Sequence, residues 1–288
     1  MYAKFDLAMP ETLDGALGFL AEENGPDTMP LAGGTNLIVD IRARRAWPRR
    51  VIGLGEIGEL QGLDCAGPRI SIGARTTVSD LLDTPEIAAV APSLIEASRL
   101  FAGQMVRNAA TVGGNIACGS PAADLVPPLM SLDAEVTLAC GSGTRTIALD
   151  DYYLGYKQDA RRPDELITKI SWPRLSENSV NRFYKLARRM GDAITITGVS
   201  VTLVAENGVC AKARIALGAV APVVLRAKKA EALLEGEALV PALIDAAAVQ
   251  AVAECSPIND VRASAEYRRH TVEVLTRRLV SDAWRELS

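Results

Sequence analysis

Apolar and polar positions follow two periods along this chain, and the places where one gives way to the other mark its elements. Within 12–20, Leu13, Ala16, Leu17 and Leu20 recur at helical spacing, which predicts a helix stopped by Asn24-Gly25-Pro26. A short strand over 29–32 follows, and 51–54 reads as another. Residues 69–74 alternate in strand fashion, Thr77 opens a helical stretch over 77–82, and 91–101 reads as an amphipathic helix ending at Gly103. Gly141-Ser142-Gly143 separates two strand-like runs, 134–139 and 144–149, as a hairpin turn does. A further strand over 166–172 is closed by Pro173.

Beyond the polar stretch Leu175-Ser176-Glu177-Asn178-Ser179 the texture changes. Residues 195–205 and 211–218 flank Glu206-Asn207-Gly208, which predicts an antiparallel hairpin. Residues 227–234 and 240–255 are Ala-rich helical patterns, and 266–284 reads as an amphipathic terminal helix. The expected fold is therefore α+β, divided into residues 1–177, in parts of about 1–55 and 56–177, and residues 178–288 with an antiparallel sheet and helices.

Two glycine pairs interrupt this pattern. Ala32-Gly33-Gly34-Thr35-Asn36 and Thr111-Val112-Gly113-Gly114-Asn115 each place Asn within two residues of Gly-Gly. Adjacent glycines reach positive φ freely and carry no Cβ, so successive N–H groups can converge on an anion, and two such nests could cradle one diphosphate. Neither pair has the third glycine of a dinucleotide-binding fingerprint, and a plain tight turn is the ordinary use of such a pair. The apolar run after the first pair can begin a helix whose dipole would favour an anion there. After the second pair, Asp124 stands either as an N-cap ahead of Pro127 and Pro128 or as a ligand.

Composition narrows the function. At 288 residues and 49% hydrophobic content the chain can bury substantial cores, while a net charge of −4 offers no basic field for nucleic acid. Arg42-Ala43-Arg44-Arg45 with Arg49-Arg50 is locally basic, as solvated charge or a protein contact would be. No apolar run approaches the roughly 18 residues of a membrane span, and the first residues lack a signal peptide's apolar core, so a cytoplasmic location is expected. Cys65, Cys118, Cys140, Cys210 and Cys255 are scattered with no CxxC, which argues against a disulfide framework, a zinc site or an iron–sulfur cluster on this chain. Cys118 is either an ordinary buried thiol or a neighbour of bound ligand.

The single histidine, His270, lies among Arg268, Arg269 and Arg277 on an expected helix, which suits a surface or satisfied residue. No GxSxG elbow, GxxxxGK[ST] loop or HExxH helix is present, and neither a catalytic residue nor a metal ligand is assigned. Tyr152, Tyr153 and Tyr156 read as packing residues. Glycine loops without an acid–base group fit a protein whose reactivity is borrowed from a cofactor.

The two glycine stretches, with Ser120-Pro121-Ala122-Ala123-Asp124, resemble the medium, FAD-binding subunit of the molybdenum hydroxylases, the family of xanthine dehydrogenase and aerobic carbon monoxide dehydrogenase. The resemblance continues through Glu165-Leu166-Ile167, Phe183-Tyr184-Lys185, Val220-Ala221-Pro222 with Arg226-Ala227, and Ser264-Ala265-Glu266-Tyr267-Arg268-Arg269-His270. It implies a two-part FAD-binding domain of the PCMH, vanillyl-alcohol-oxidase-like type, followed by a C-terminal α+β domain. It also implies that Leu31, Ala32, Gly33, Gly34, Thr35, Asn36 and Leu37 hold the FAD diphosphate from one side. Thr111, Val112, Gly113, Gly114 and Asn115 would hold it from the other, with Phe101, Asp124, Ile167 and Lys185 as further contacts.

In that family a small subunit carries two [2Fe-2S] clusters and a large subunit carries a molybdopterin cofactor, so a dimer of heterotrimers is expected. Substrate is hydroxylated at molybdenum, and electrons leave through FAD to NAD+, a quinone, a cytochrome or oxygen. Thr35-Asn36 stands where carbon monoxide dehydrogenases usually have His-Ser, which points toward a heterocycle or aldehyde substrate. A self-sufficient FAD oxidoreductase of the same fold and a flavin-free scaffold are the alternative readings.

Overall fold

The computed structural model describes residues 4–22, 27–189 and 192–288, so the proposed Asn24-Gly25-Pro26 helix stop lies outside the described residues. The N-terminal sheet has three parallel strands, with Arg50–Gly53 between Asp6–Ala8 and Thr28–Leu31. Helix Leu13–Glu22 buries Ala16, Leu17 and Leu20, the stripe its spacing predicts, against Ile52 and Leu54. Ala139 and Leu166 of the next sheet join the same core, which fixes the first unit against the second.

That next sheet is antiparallel, in the order Leu63–Asp64, Arg69–Gly73, Leu166–Pro173, Glu135–Cys140 and Gly143–Ala148. Its central strand is irregular between Ile167 and Lys169. Thr168 turns out of register there and its carbonyl accepts the Ala74 N–H at 3.0 Å. The helices Val78–Asp83, Pro85–Val90, Pro92–Arg99 and Val126–Ser131 contribute to one core with this sheet, around Leu94, Leu129, Ile170 and Trp172. Val78–Asp83 starts with a reciprocal capping box, Thr77 Oγ1 accepting from the Asp80 N–H and Asp80 accepting from the Thr77 N–H.

The C-terminal sheet is an antiparallel meander of Ser179–Ala187, Thr195–Glu206, Val209–Gly218 and Leu225–Arg226. Asn207 and Gly208 have φ of 52° and 80°, the geometry of the expected Asn-Gly hairpin turn. Along Thr195–Glu206, Val199, Val201 and Leu203 face a core shared with helices Lys228–Leu234, Pro241–Ala253 and Ala265–Leu287. Ser200 and Thr202 point the other way, onto Ser131 of helix Val126–Ser131. Among the described residues, no helix is long and apolar enough to cross a membrane.

Candidate functional site

The first glycine stretch leaves strand Thr28–Leu31 and enters helix Leu37–Arg42. Gly34 has φ of 71°, so the turn requires the left-handed region that glycine tolerates. Gly33 is needed for a different reason: a Cβ there would lie 1.6 Å from the Ala109 carbonyl oxygen, so the two loops meet backbone to backbone. The Ile38 N–H is bonded to Gly34, whereas the N–H groups of Thr35, Asn36 and Leu37 make no hydrogen bond among the described residues. Unpaired donors at a turn entering a helix are an anion site in waiting.

The second glycine stretch has another conformation. Val112–Ala117 is a helix, Thr111 is its N-cap, and neither Gly113 nor Gly114 has positive φ. The Val112 N–H donates to Thr76 O and the Gly113 N–H to Ala74 O, both at 2.9 Å, and the Gly114 N–H donates to Thr111 Oγ1 at 3.1 Å. The expectation of a second nest is therefore corrected, because its amides are already spent inside the protein. Gly113 permits close packing, since a Cβ would come within 2.7 Å of the Ala74 Cβ. A Cβ on Gly114 would come within 2.8 Å of Thr111 Oγ1 and disturb the cap before it met any ligand. What this stretch offers a ligand is side-chain chemistry, chiefly Asn115, whose Oδ1 accepts the Leu125 N–H at 3.3 Å.

The two stretches converge on one cavity of about 740 Å³. Every residue expected at the site lines it except Val112 and Lys185. Val112 is fully buried in the core. Lys185 lies behind the wall, donating to Asp124 Oδ2 at 2.6 Å and to Leu100 O at 3.1 Å. Phe101 and Ile167 supply apolar wall, Ile167 delivered there beside the irregularity in its strand.

Asp124 caps no helix. The following helix has Leu125 as its N-cap residue with no side-chain cap, and Asp124 instead pairs with Lys185 and accepts from Thr195 Oγ1. Burial pushes the Asp124 carboxyl above its usual range, and Lys185 offsets only part of that rise.

Sequence reasoning missed the cationic side chains Arg75, Lys157 and Arg161, all of which line the cavity. Arg75 donates to Ile57 O at 2.8 Å, and Arg161 is held by Asp159. Lys157, with φ of 53°, turns the hairpin of Tyr153–Gly155 and Gln158–Asp159 beside Gly119. A Cβ on Gly119 would come within 3.1 Å of the Lys157 Cα. Cys118 lines the same cavity, and burial raises its thiol. Tyr152 and Tyr153 pack edge to face at 4.9 Å, Tyr156 is exposed, and none of the three lines the cavity. His270 is exposed on its helix.

The cavity suits an extended ligand with an anionic centre. It combines unpaired amides, apolar walls and cationic side chains, and it falls within the ~300–1,000 Å³ of small-molecule and cofactor sites. Residues 3–175 match the model of the FAD binding domain in molybdopterin dehydrogenase, and residues 182–283 match the CO dehydrogenase flavoprotein C-terminal domain. The chain is 36% identical to the carbon monoxide dehydrogenase medium chain of Afipia carboxidovorans over 279 residues, covering 97% of this chain and 96% of that one.

Among solved structures, carbon monoxide dehydrogenase from Hydrogenophaga pseudoflava matches with a TM-score of 0.95 at 33% identity, covering 99% and 98% of the two chains. Quinoline 2-oxidoreductase from Pseudomonas putida 86 matches with a TM-score of 0.91 at 26% identity, covering 100% and 99%. The chain thus carries a PCMH-type FAD-binding domain followed by a flavoprotein C-terminal domain, and it belongs to the FAD-binding medium subunits of the molybdenum hydroxylase family.

Proposed function

We propose that this chain is the flavin-carrying electron-transfer subunit of a molybdenum hydroxylase. It takes electrons from [2Fe-2S] clusters of a small partner subunit and passes them to an external acceptor, with molybdopterin chemistry on a large subunit. The observation that carries the reading is the single cavity on which both glycine stretches converge, with unpaired donors on one side only. Bound FAD supplies electron uptake and release that none of this chain's side chains provides. The chain's own residues bind and orient it.

In this reading the N–H groups of Thr35, Asn36 and Leu37 face the diphosphate, and Arg75, Lys157 and Arg161 add positive charge to the same cavity. Thr111, Gly114 and Asn115 form the opposite wall, and Phe101 and Ile167 exclude water along apolar parts of the ligand. Asp124 presents a carboxylate whose position is set by Lys185 and Thr195. The domain division falls near 177, the assembly is a dimer of heterotrimers, and the acceptor is NAD+, a quinone, a cytochrome or oxygen.

The test combines cofactor analysis with reduction through a partner. Denaturing the purified chain should release FAD at about one per chain. Flavin absorption should bleach when the chain is mixed with a reduced iron–sulfur subunit, and should persist when substrate is given to the chain alone. Bleaching by an organic substrate without any partner would instead establish a self-sufficient oxidoreductase.

A further inference from the structure

One wall of the cavity is held by an arrangement that none of the glycine stretches supplies. Beyond the C-terminus of helix Pro92–Arg99, the consecutive carbonyl groups of Leu100, Phe101 and Ala102 are each bound by a cationic side chain. Lys185 Nζ donates to Leu100 O at 3.1 Å, and one Arg107 guanidinium nitrogen donates to both Phe101 O and Ala102 O at 3.0 Å. Carbonyl groups at a helix C-terminus lack intrahelical partners and favour positive charge, so the placement is physically sound.

Ala102 has φ of 36°, which a residue bearing a side chain holds only when its surroundings over-determine it. Arg107 has no carboxylate partner among the described residues; its remaining contact is Gln104 Oε1 at 3.1 Å. Gln104 is in turn fixed by Asn108 Oδ1 and Ser79 Oγ.

We infer that Arg107 and Lys185 are positioning residues for the cofactor cavity, clamping the turn at Phe101 and Ala102 so that the Phe101 ring forms a fixed part of its wall. The inference rests on the reading that this cavity takes FAD. Phe101 and Ala102 line the cavity, whereas Arg107 and Lys185 do not, so both cations act through the turn. Lys185 stands on strand Ser179–Ala187 and also pairs with Asp124, so the clamp ties the C-terminal sheet to the same wall.

A double-mutant cycle on the full chain tests the clamp, reading the FAD dissociation constant and the visible circular dichroism of bound flavin. Arg107→Gln is expected to weaken FAD about tenfold and to change the dichroism, because the released turn lets the ring move. In a Phe101→Leu background the same change is expected to weaken FAD by no more than about twofold, since the ring through which it acts is gone. Arg107→Lys retains a charge that reaches one carbonyl and should recover most of the affinity, while Arg107→Met, which also loses both carbonyl bonds, carries the same cycle if the Gln variant does not fold.

Equal weakening in both backgrounds, or unchanged affinity and dichroism in the single variant, overturns the clamp. A wild-type chain that takes up no FAD overturns the cavity assignment instead, which separates the two failures.

Discussion

The two glycine stretches look like copies, yet one leaves its amides unpartnered beside the cavity and the other has already used them. At the first, Gly34 adopts positive φ and three successive N–H groups are left without partners. At the second, the carbonyls of Ala74 and Thr76 and the hydroxyl of Thr111 take the corresponding donors, and the chain winds into a helix. The difference shows that a Gly-Gly-containing motif specifies close approach, not a binding mode. What the neighbouring backbone accepts decides whether a ligand is needed to complete the hydrogen bonding.

Substitutions can break this comparison in graded steps. The largest effect is expected for Gly33→Val, whose Cβ overlaps the Ala109 carbonyl. Denaturant unfolding should show a loss of about 4 kcal/mol or no folded protein. A melt like wild type would mean that the loops do not pack as described.

The wall beyond the second stretch depends on charge. Lys185→Met leaves Asp124 buried without its cation and should cost about 3 kcal/mol at neutral pH. Burial already raises the Asp124 carboxyl above 3.8, so the folded chain holds this proton more tightly than the unfolded one. Its contribution to stability therefore declines as pH rises from 3.8 through the raised folded value. The deficit of the Met variant should shrink in acid, and a deficit independent of pH would refute the unpaired-carboxylate account.

Next in size, Gly113→Ala should cost about 2 kcal/mol by crowding Ala74, and FAD affinity measured well below the unfolding transition should change by less than about twofold. The smallest effect on stability is expected from Gly34→Ala, about 1 kcal/mol for the left-handed backbone. That variant should nevertheless weaken FAD about tenfold, because its turn aims the free amides. If affinity follows stability across this pair, the contrast between the stretches is wrong.

Much of the fold was legible because local signals agree with the tertiary packing. Leu13–Glu22 buries the stripe its spacing predicts, and Asn207-Gly208 closes the hairpin that its turn chemistry requires. Strand Ser179–Ala187 was not anticipated because its buried positions are not uniformly apolar: Asn181 is buried and bonded to Thr202 and to the Ser93 N–H. The convergence of the glycine stretches was expected from resemblance, but their unequal roles were not. A helix containing Gly113 and Gly114 runs against propensity and is held by acceptors more than thirty residues away in sequence. Of the two roles open to Asp124, the cap likewise does not form, since its partner Lys185 is 61 residues distant. Arg75, Lys157 and Arg161 gave no local signal at all, because only the fold brings them to the cavity.

Amide hydrogen exchange with and without FAD tests the central contrast most directly. The account predicts that FAD slows exchange at Thr35, Asn36 and Leu37, while Val112, Gly113 and Gly114, already bonded within the protein, change little. Protection gained at the second stretch with none at the first would contradict it.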